Sequence, residues 1–252
     1  MPAGTRPAGR VVAIVQARMG SSRLPGKVLE LLAGESMLAR VVARLRAATT
    51  IDDVVIATTT APGDDAVVRE AERVEAGVFR GSETDVLARY AGAATAARAD
   101  VVVRVTSDCP LLDPTVVDRV VTMLGTGADY ASNTHTRSYP RGLDVEALHA
   151  DVLARIHRMA RSPSAREHVT AYVIERSSWF AVRQVHADRD DSDLRWTVDT
   201  EEDLALVRAL YARCELATVI RPYQAVVALV RSAPELAVIN AHVAQKSWNH
   251  VG

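Results

Sequence analysis

Two patterns of apolar positions alternate along the first half of the chain. One is a short, continuous apolar run, which is typical of a strand covered on both faces of a sheet. The other is a recurrence of apolar residues at helical spacing. The runs predict strands over residues 11–17, 53–59, 77–80 and 100–105, and the spacing predicts helices over residues 36–47, 64–75, 83–98 and 114–124. Strands and helices that alternate in this way form right-handed βαβ units, so we predict an α/β fold with a mostly parallel central sheet.

The second half of the chain is less regular. Its pattern predicts strands over residues 129–133, 143–147 and 179–185, and helices over residues 151–160, 165–175, 200–214 and 223–231. No internal repeat or low-complexity linker divides the sequence. We therefore expect a short mobile tail over residues 1–10, which lacks an apolar core, and a single domain over residues 11–252 with an embellished second half.

The composition disfavours several classes of protein. The 252 residues are 48% hydrophobic and 24% charged, as in ordinary globular domains, so a disordered chain is not expected. A formal net charge of −1 argues against a general nucleic-acid binder. No apolar run is long enough to span a membrane, so we expect a soluble cytoplasmic protein with neither a nucleic-acid nor a membrane partner. Cys109 and Cys214 are far apart and lack metal-ligand spacing, which predicts two reduced thiols.

The residues that follow the first predicted strand combine three kinds of phosphate ligand. Small residues allow backbone N–H groups to approach an anion closely. Arg18 and Arg23 offer guanidinium forks, and Lys27 adds a compact point charge. Ligands of parallel sheets bind beyond the carboxyl ends of the strands, where this loop is expected to lie. The predicted triphosphate-binding residues are Ala17, Arg18, Gly20, Ser21, Ser22, Arg23 and Lys27; the alternative interpretation is a solvated basic turn.

The common phosphate-loop signatures do not match this loop. Four residues separate the two glycines of a Walker A motif, whereas five separate Gly20 from Gly26. Val28 stands where that motif has its metal-binding Ser or Thr. The dinucleotide-binding GxGxxG pattern is also missing from the sequence. The loop therefore belongs to another class of nucleotide site.

The same loop resembles the signature of a known family. Residues 16–27, QARMGSSRLPGK, are similar to the signature of the cytidylyltransferases that make CMP-activated acidic sugars, such as the CMP-Kdo and CMP-sialic acid synthetases. The resemblance extends to the group of spore-coat polysaccharide cytidylyltransferases and covers nearly the whole chain after the tail. Its further segments, in the same order, are RGSETDVL (residues 80–87), TSDCPL (106–111), YPRGLDVE (139–146), REHVT (166–170) and RWTVDT (195–200).

The resemblance implies a fold, a reaction and a set of ligands. The fold is the Rossmann-like nucleotide-diphospho-sugar transferase fold, and the relatives' habit of dimerising implies a homodimer that uses parts of residues 130–195. The reaction is the transfer of CMP from CTP to a small acidic acceptor, with Mg²⁺ or Mn²⁺ as cofactor and pyrophosphate as the second product. Asp108 and Asp199 match the metal-ligand positions of the family, and Mg²⁺ prefers such oxygen ligands.

Individual roles follow from the same resemblance. Arg18, Lys27 and Asp108 match catalytic positions, and Ser82 and Thr106 join the nucleotide site. Sialic acid and Kdo relatives carry a glutamine close to the position of Thr106, and this departure leaves the acceptor open. The residues predicted to bind the acceptor are Arg141, Asp144, Glu146, Arg166 and His168.

Several polar residues also have a purely structural interpretation. Asp108 is typical of a residue that initiates a turn. Asp199 precedes a predicted capping box formed by Thr200 and Asp203, so it also favours the helix N-terminus, and we assign Asp203 to capping alone. Arg104 lies within a predicted strand and faces either the site or a sheet edge.

Two other functions remain open at the level of the sequence. Metal-dependent glycosyltransferases share the fold and carry a DxD metal motif after the central strand, where this chain has Ser107-Asp108-Cys109-Pro110. The third function is that of an inactive nucleotide-binding partner protein. No residue specifies the base, since cytosine is implied by the resemblance alone.

Overall fold

Seven of the nine strands in the described part of the chain form one sheet. The structure is a computed structural model in which residues 5–245 are described. The strands are β1 (Val11–Gln16), β2 (Leu31–Leu32), β3 (Glu35–Ser36), β4 (Asp53–Thr59), β5 (Gly77–Gly81), β6 (Val101–Thr106), β7 (Tyr130–Ser132), β8 (Glu146–His149) and β9 (Val182–Gln184). The α-helices are α1 (Met37–Arg46), α2 (Asp65–Arg73), α3 (Val86–Ala96), α4 (Pro114–Leu124), α5 (Ala150–Met159), α6 (Pro163–Glu167), α7 (Ala171–Glu175), α8 (Glu201–Arg213), α9 (Tyr223–Ser232) and α10 (Pro234–Ala237).

The sheet is mostly parallel, as predicted. Its strand order is β5-β4-β1-β6-β8-β7-β9. The first four strands of this order run parallel to one another, whereas β8 is antiparallel to both β6 and β7. A separate two-stranded antiparallel hairpin, β2–β3, lies between the loop after β1 and helix α1. The carboxyl ends of β4, β1 and β6 therefore share one edge of the sheet, where ligands of such sheets bind.

Each face of the sheet has its own apolar core. Along β1, Val11, Ala13 and Val15 are fully buried in one core, whereas Val12 and Ile14 are fully buried in the other. The first core includes residues of α1, α2, α4, α8 and α9, and the second includes residues of α3, α5, α6 and α7. Because helices cover both faces, β1 needs apolar side chains at successive positions, which explains its unbroken run.

Local capping signals place two of the helices that flank the site. Asp113 accepts a hydrogen bond from the backbone N–H of Thr115, and Pro114 occupies the first turn of α4. At the start of α8, Thr200 and Asp203 form the predicted capping box. The residue that precedes this box, Asp199, is therefore fixed at the N-terminal end of a helix.

Three predicted elements of the second half differ clearly from the structure. The strand predicted over residues 179–185 is limited to β9 (Val182–Gln184). The strand predicted over residues 143–147 begins only at Glu146, because the side chain of Asn133 bonds the carbonyl of Leu143 and the N–H of Val145 in place of a neighbouring strand. The single helix predicted over residues 165–175 is broken into α6 and α7. Val169 between them has a φ of 55°, which interrupts the helical backbone.

Residues 5–10, part of the expected mobile tail, contact the domain. Arg6 forms an ion pair with Asp52, and Pro7 is buried. The backbone N–H of Arg10 donates a 2.7 Å hydrogen bond to Asp100. Residues 1–4 lie outside the described part of the chain.

Two expectations from composition can be compared with residues 5–245. None of the helices there has both the length and the apolar character needed to cross a membrane. Cys109 and Cys214 are both buried and unpaired, as predicted.

Candidate active site

A lysine and two aspartates meet at the carboxyl edge of the sheet. The Nζ atom of Lys27 donates a 2.8 Å hydrogen bond to Oδ2 of Asp108 and another of 2.8 Å to Oδ1 of Asp199. A third bond of 2.7 Å goes to the backbone carbonyl of Val198. All three protons of the ammonium thus have acceptors, and only 11% of the Lys27 side chain is exposed. We call Lys27, Asp108 and Asp199 the charge cluster.

Two arginines hold the other oxygen of Asp199. Arg195 donates a 2.8 Å hydrogen bond to its Oδ2 atom, and Arg23 forms an ion pair with the same atom at 2.8 Å. Arg195 also binds Asp203 through Nε at 2.9 Å and Nη2 at 3.0 Å. Asp203 is fully buried and belongs to the α8 capping box, so the first turn of the helix fixes the arginine. Arg23 and Arg195 therefore orient the Asp199 carboxylate.

For Lys27 and Asp199, the neighbouring opposite charges change the pKa more than burial does. Burial alone lowers the pKa of Lys27, but Asp108 and Asp199 raise it above its ordinary value of 10.5. Burial alone raises the pKa of Asp199, but Lys27 and Arg23 lower it below its ordinary value of 3.8. Both side chains are therefore charged at neutral pH.

The loop between β1 and Lys27 has a fixed backbone. The N–H of Met19 donates a 2.7 Å hydrogen bond to the Asp64 carboxylate, and the carbonyl of Met19 accepts the N–H groups of Ser21 and Gly26 at 2.9 Å each. Gly26 has a φ of 73°, a backbone conformation that favours glycine. It precedes the 3₁₀ turn Lys27–Leu29, which directs the lysine toward the two aspartates.

Free donors remain on this loop. Among residues 5–245, the backbone N–H groups of Gly20, Ser22 and Arg23 have no acceptor. Arg18 is 45% exposed, and its nearest carboxylate is Glu83 at 3.6 Å. The structure therefore places unpaired backbone donors and an exposed guanidinium on the loop that leads to Lys27, which is the combination an anion requires. By contrast, Ala17 is buried and bonds the carbonyl of Ala57 through its N–H.

The remaining predicted nucleotide residues lie on neighbouring loops. Thr106, at the end of β6, donates a 2.5 Å hydrogen bond to Oδ1 of Asp108. Ser82 accepts the backbone N–H of Asp85 at 3.0 Å in the loop that precedes α3. Asp85 itself caps α3, so that helix starts at Val86 and not at residue 83 as predicted. Thr106 therefore contacts the charge cluster directly, whereas Ser82 lies in the loop that carries Glu83.

Glu146, predicted to bind the acceptor, lies in a buried polar network. It faces Arg104 across the antiparallel pair β6–β8 and forms an ion pair with it. It also accepts hydrogen bonds from the hydroxyls of Tyr130 and Thr170. Only 8% of the Glu146 side chain is exposed. Arg104, which was expected to face the site or a sheet edge, lies on an interior strand and also bonds Gln16 at 3.3 Å.

Asp144 and Arg141 lie near the segment that carries Asp199. Asp144 is held in a two-pronged ion pair by Arg137, at 2.6 and 2.9 Å. The backbone of Arg141 pairs with the segment before Asp199. Its N–H donates to the carbonyl of Leu194, and its carbonyl accepts the N–H of Trp196. The Arg141 side chain lines a cavity of about 340 Å³, and burial together with Arg137 lowers its pKa.

The last two predicted acceptor residues belong to the region of α6. Arg166 binds the carboxylate of Asp85, with Nε at 3.0 Å, and so joins α6 to the start of α3. Its Nη1 atom also donates to the carbonyl of His157 at 3.0 Å. His168 is partly buried, and its Nε2 atom has no partner among the described residues. These residues lie apart from the charge cluster in the hydrogen-bond network.

Comparison with known proteins identifies the family. A family model described as "Cytidylyltransferase" matches residues 12–221, a range that contains the whole charge cluster and the loop before it. The chain belongs to the cytidylyltransferase family. Its members transfer a nucleotidyl group, so the chain is a nucleotidyltransferase and an enzyme.

Individual members of the family cover most of this chain. It is 35% identical over 213 residues to the spore coat polysaccharide biosynthesis protein SpsF of Bacillus subtilis, across 81% of this chain and 87% of that protein. It is 31% identical to a 3-deoxy-manno-octulosonate cytidylyltransferase of Anaeromyxobacter dehalogenans, across 80% of this chain and 98% of that one. The solved structure of a cytidylyltransferase from Leptospira borgpetersenii has 31% identity and a TM-score of 0.85, and covers 90% of this chain and 96% of that one.

This membership confirms the resemblance and the predicted fold class. The α/β architecture with a mostly parallel sheet is that of a cytidylyltransferase of known structure. Of the three functions that the sequence left open, membership of the cytidylyltransferase family selects nucleotidyl transfer over glycosyl transfer and over a partner protein without activity.

Three residues of the site have contacts that were not predicted from the sequence. Arg195 was included in the RWTVDT segment without a role, yet it connects Asp199 to Asp203. Asp203 was assigned to the capping box alone; the capping box is present, and the same carboxylate also holds Arg195. The available signal was the spacing of a basic residue four positions before one acidic residue and eight before another. Arg137, which binds Asp144, had no signal in the sequence.

Proposed function

We propose that this cytidylyltransferase activates an acidic sugar by the reaction CTP + acceptor–OH → CMP–acceptor + pyrophosphate. The observation that carries the proposal is the charge cluster, in which Lys27, Asp108 and Asp199 converge at the carboxyl edge of the sheet. Beside it lies a loop with free backbone donors and the exposed Arg18. A triphosphate needs cations and N–H donors in such an arrangement.

The loop after β1 supplies the ligands for the phosphates. The N–H groups of Gly20, Ser22 and Arg23 are free to donate to phosphate oxygens. Arg18 and Lys27 add charge from either end of the loop. Ser21 and Ala17 contribute by shaping the backbone, and Thr106 and Ser82 come from the loops beside it. Cytosine is the proposed base because the family acts on CTP and because relatives bear cytidylyltransferase names.

The carboxylates fit a divalent cation. Oδ2 of Asp108 and Oδ1 of Asp199 both lie 2.8 Å from one ammonium, so the two oxygens already converge on a position that a cation occupies. Carboxylate oxygens are also the donors that Mg²⁺ and Mn²⁺ prefer. Asp108 and Asp199 would therefore hold the ion. When bound, it offsets the negative charge on the α-phosphate and on the departing pyrophosphate.

The reaction requires positioning and charge, without a covalent enzyme intermediate. The acceptor oxygen forms a bond to the α-phosphorus as the bond to the oxygen bridging the α- and β-phosphates breaks. The proton of the acceptor hydroxyl goes to solvent or to a nearby base. Arg18, Arg23 and Lys27 donate to phosphate oxygens on which charge accumulates in the transition state, and this stabilisation supplies most of the rate.

The acceptor is proposed to be an acidic sugar because the relatives are named for 3-deoxy-manno-octulosonate and for spore coat polysaccharide. Arg141 is a candidate for its carboxylate, since no acceptor for its guanidinium lies among residues 5–245. Asp144, Arg166 and His168 are proposed to bind the acceptor on the family resemblance alone, since none of them lines the Arg141 cavity. Glu146 would act indirectly, by holding Arg104 beside Gln16.

A pyrophosphate-release assay tests the proposal. Each of CTP, UTP, GTP and ATP is mixed with Mg²⁺ and, in turn, with 2-keto-3-deoxy acids, sialic acids, phosphosugars and phosphonates. We expect pyrophosphate from CTP in the presence of an acidic sugar, together with a CMP-linked product by mass spectrometry. Cleavage of a sugar nucleotide, without pyrophosphate release from any triphosphate, would contradict nucleotidyl transfer.

A homodimer through residues 130–195 is also part of the proposal. Two large apolar side chains in this part of the chain are exposed, Trp179 by 57% and Met159 by 41%. Strand β9 lies at the edge of the sheet in the same region. Light scattering on the purified protein is expected to give the mass of two chains, and Trp179→Asp should shift the mass toward one. A monomeric wild-type protein would contradict the dimer.

A further inference from the structure

In each carboxylate of the charge cluster, one oxygen is bound by Lys27 and the other oxygen is held by different side chains. For Asp199, Oδ2 is held by Arg23 and Arg195, each at 2.8 Å, whereas Oδ1 is bound by Lys27. For Asp108, Oδ1 accepts from Thr106 at 2.5 Å, whereas Oδ2 is bound by Lys27. Among the described residues, Lys27 is thus the one side chain that contacts the two inward-facing oxygens.

The same point cannot hold the ammonium and a divalent cation. The ammonium already uses its three protons on Asp108, Asp199 and the carbonyl of Val198. A magnesium ion needs carboxylate oxygens at about 2.0–2.1 Å and is repelled by a neighbouring positive charge. Lys27 must therefore leave both inward-facing oxygens before a metal ion binds between them.

We infer that Lys27 occupies the metal position in the nucleotide-free enzyme, so that a divalent cation binds between Asp108 and Asp199 only when a triphosphate draws Lys27 away. This inference rests on the proposed function, in which those aspartates hold the metal and the loop after β1 binds the triphosphate. It adds an order of assembly to that site: the nucleotide opens the metal position.

Lys27 is suited to such an exchange. Its backbone is fixed by the 3₁₀ turn that follows Gly26, but its ammonium sits on a flexible four-carbon stem. The free N–H groups of Gly20 and Ser22 mark where the phosphates would offer the ammonium another anionic partner. When the ammonium moves, the anchored oxygens of both carboxylates keep their contacts with Thr106 and the arginines. The inward-facing oxygens are then oriented and unpaired.

The movement of Lys27 couples the binding of the triphosphate to the binding of the divalent cation. A ligand that removes Lys27 from the carboxylates raises the affinity of the other ligand, and the effect is reciprocal. The nucleotide-free enzyme therefore has low affinity for the metal because of the lysine itself. Removal of the lysine should create a metal site that no longer depends on nucleotide.

Manganese binding to the full-length protein without nucleotide tests the inference. Free Mn²⁺ is measured by electron paramagnetic resonance in titrations of wild type, Lys27→Met, Lys27→Gln and Arg23→Gln. Arg23→Gln is the matched control, because it removes one positive charge at the same 2.8 Å from Asp199 but does not bridge the aspartates. Circular dichroism melting verifies that each variant is folded.

We expect both Lys27 variants to bind Mn²⁺ about tenfold or more tightly than wild type, and Arg23→Gln to differ from wild type by less than about threefold. Equal affinities in wild type and the Lys27 variants would overturn the inference, as would an equal gain in Arg23→Gln. Crystals soaked in Mn²⁺ give an independent measurement that needs no variant: anomalous density between Asp108 and Asp199 in the nucleotide-free wild type would also overturn it. Because no nucleotide is present, these results are separate from the pyrophosphate assay that decides the proposed function.

Discussion

Lys27 and Asp199 are 172 positions apart in the chain, yet the ammonium of the first donates a 2.8 Å hydrogen bond to the carboxylate of the second. The contact joins the end of the loop after β1 to the residue that precedes the N-cap of α8. Only 11% of the Lys27 side chain and 17% of the Asp199 side chain are exposed, and charge pairing together with the capped start of α8 holds them in place. The site and the stability of the fold therefore depend on some of the same residues.

The lowered pKa of Asp199 predicts sensitivity to acid. Burial raises this pKa, but Lys27 and Arg23 outweigh burial, so the folded-state pKa lies below 3.8. Such a carboxylate stabilises the fold at pH values above its unfolded-state pKa, and this contribution is lost as the pH falls through the folded-state pKa. We expect the free energy of unfolding to decrease below pH 3.8, and Asp199→Asn to show a shallower decrease. Urea unfolding midpoints at pH 7 and pH 3 measure the loss of stability in wild type and in Asp199→Asn. An equal loss in the two proteins would contradict the lowered pKa of Asp199.

Arg195 is predicted to be a positioning residue. Its fork joins Asp199 to the buried Asp203 by three hydrogen bonds of 2.8 to 3.0 Å. A lysine at this position retains the charge but cannot reproduce the planar fork. We expect Arg195→Lys to lower kcat about 10- to 100-fold, because Asp199 is the proposed metal ligand and the loss of a group that orients a metal ligand usually has this effect. Arg208→Lys, in an exposed pair with Glu30, is the control and should leave turnover unchanged.

The pair formed by Arg104 and Glu146 is predicted to act on stability. Loss of Glu146 leaves a buried guanidinium without its carboxylate, which typically costs about 3–5 kcal/mol. We expect Glu146→Ala to lower the free energy of unfolding by that amount in chemical denaturation. Glu235→Gln removes the carboxylate of an exposed pair with Arg213 and should have no measurable effect. A Glu146→Ala protein with wild-type stability and a raised KM for the acceptor would instead assign Glu146 to substrate binding.

Gly142 marks a close approach of two backbones. It has a φ of 102°, and a methyl group there would lie 2.6 Å from the backbone nitrogen of Thr197. Gly34 has a φ of 87°, but a methyl group at that position has no neighbour within 4 Å. Both alanine variants carry the cost of the left-handed backbone, and Gly142→Ala adds a collision beside Asp199. We expect it to destabilise the fold by at least about 1 kcal/mol more than Gly34→Ala; equal melting temperatures would contradict the contact.

Local pattern predicted the parts of the fold in which local and tertiary preferences agree. The apolar run of β1 requires cover on both faces, and Pro114 with Asp113 defines the start of α4. The pattern failed where a distant side chain, or a backbone conformation that apolar spacing does not encode, interrupted a predicted element. The start of β8 depends on the side chain of Asn133, and the break between α6 and α7 depends on the backbone of Val169.

The site likewise contains residues that could be predicted from the sequence and residues that could not. The cationic loop was visible in the sequence from its three cations directly after a buried strand, whereas the two aspartates were identified by the family resemblance of the TSDCPL and RWTVDT segments. Their partners were less visible, since a residue such as Arg137 finds Asp144 only after β7 and β8 pair. The role of Glu146 also depends on register, because the β6–β8 pairing places it opposite Arg104.

The most direct measurement of the proposed chemistry compares CTP-dependent pyrophosphate release by wild type and Asp108→Asn, in the presence of Mg²⁺ and an acidic sugar acceptor. The substitution preserves shape and removes one carboxylate of the charge cluster, whereas Asp65→Asn removes a carboxylate from an exposed pair with Arg80 and serves as the control. We predict that Asp108→Asn lowers kcat at least about 100-fold, with an unchanged circular dichroism spectrum, while the control retains full activity. An Asp108→Asn enzyme that releases pyrophosphate at the wild-type rate would contradict the assignment of the charge cluster as the site of nucleotidyl transfer.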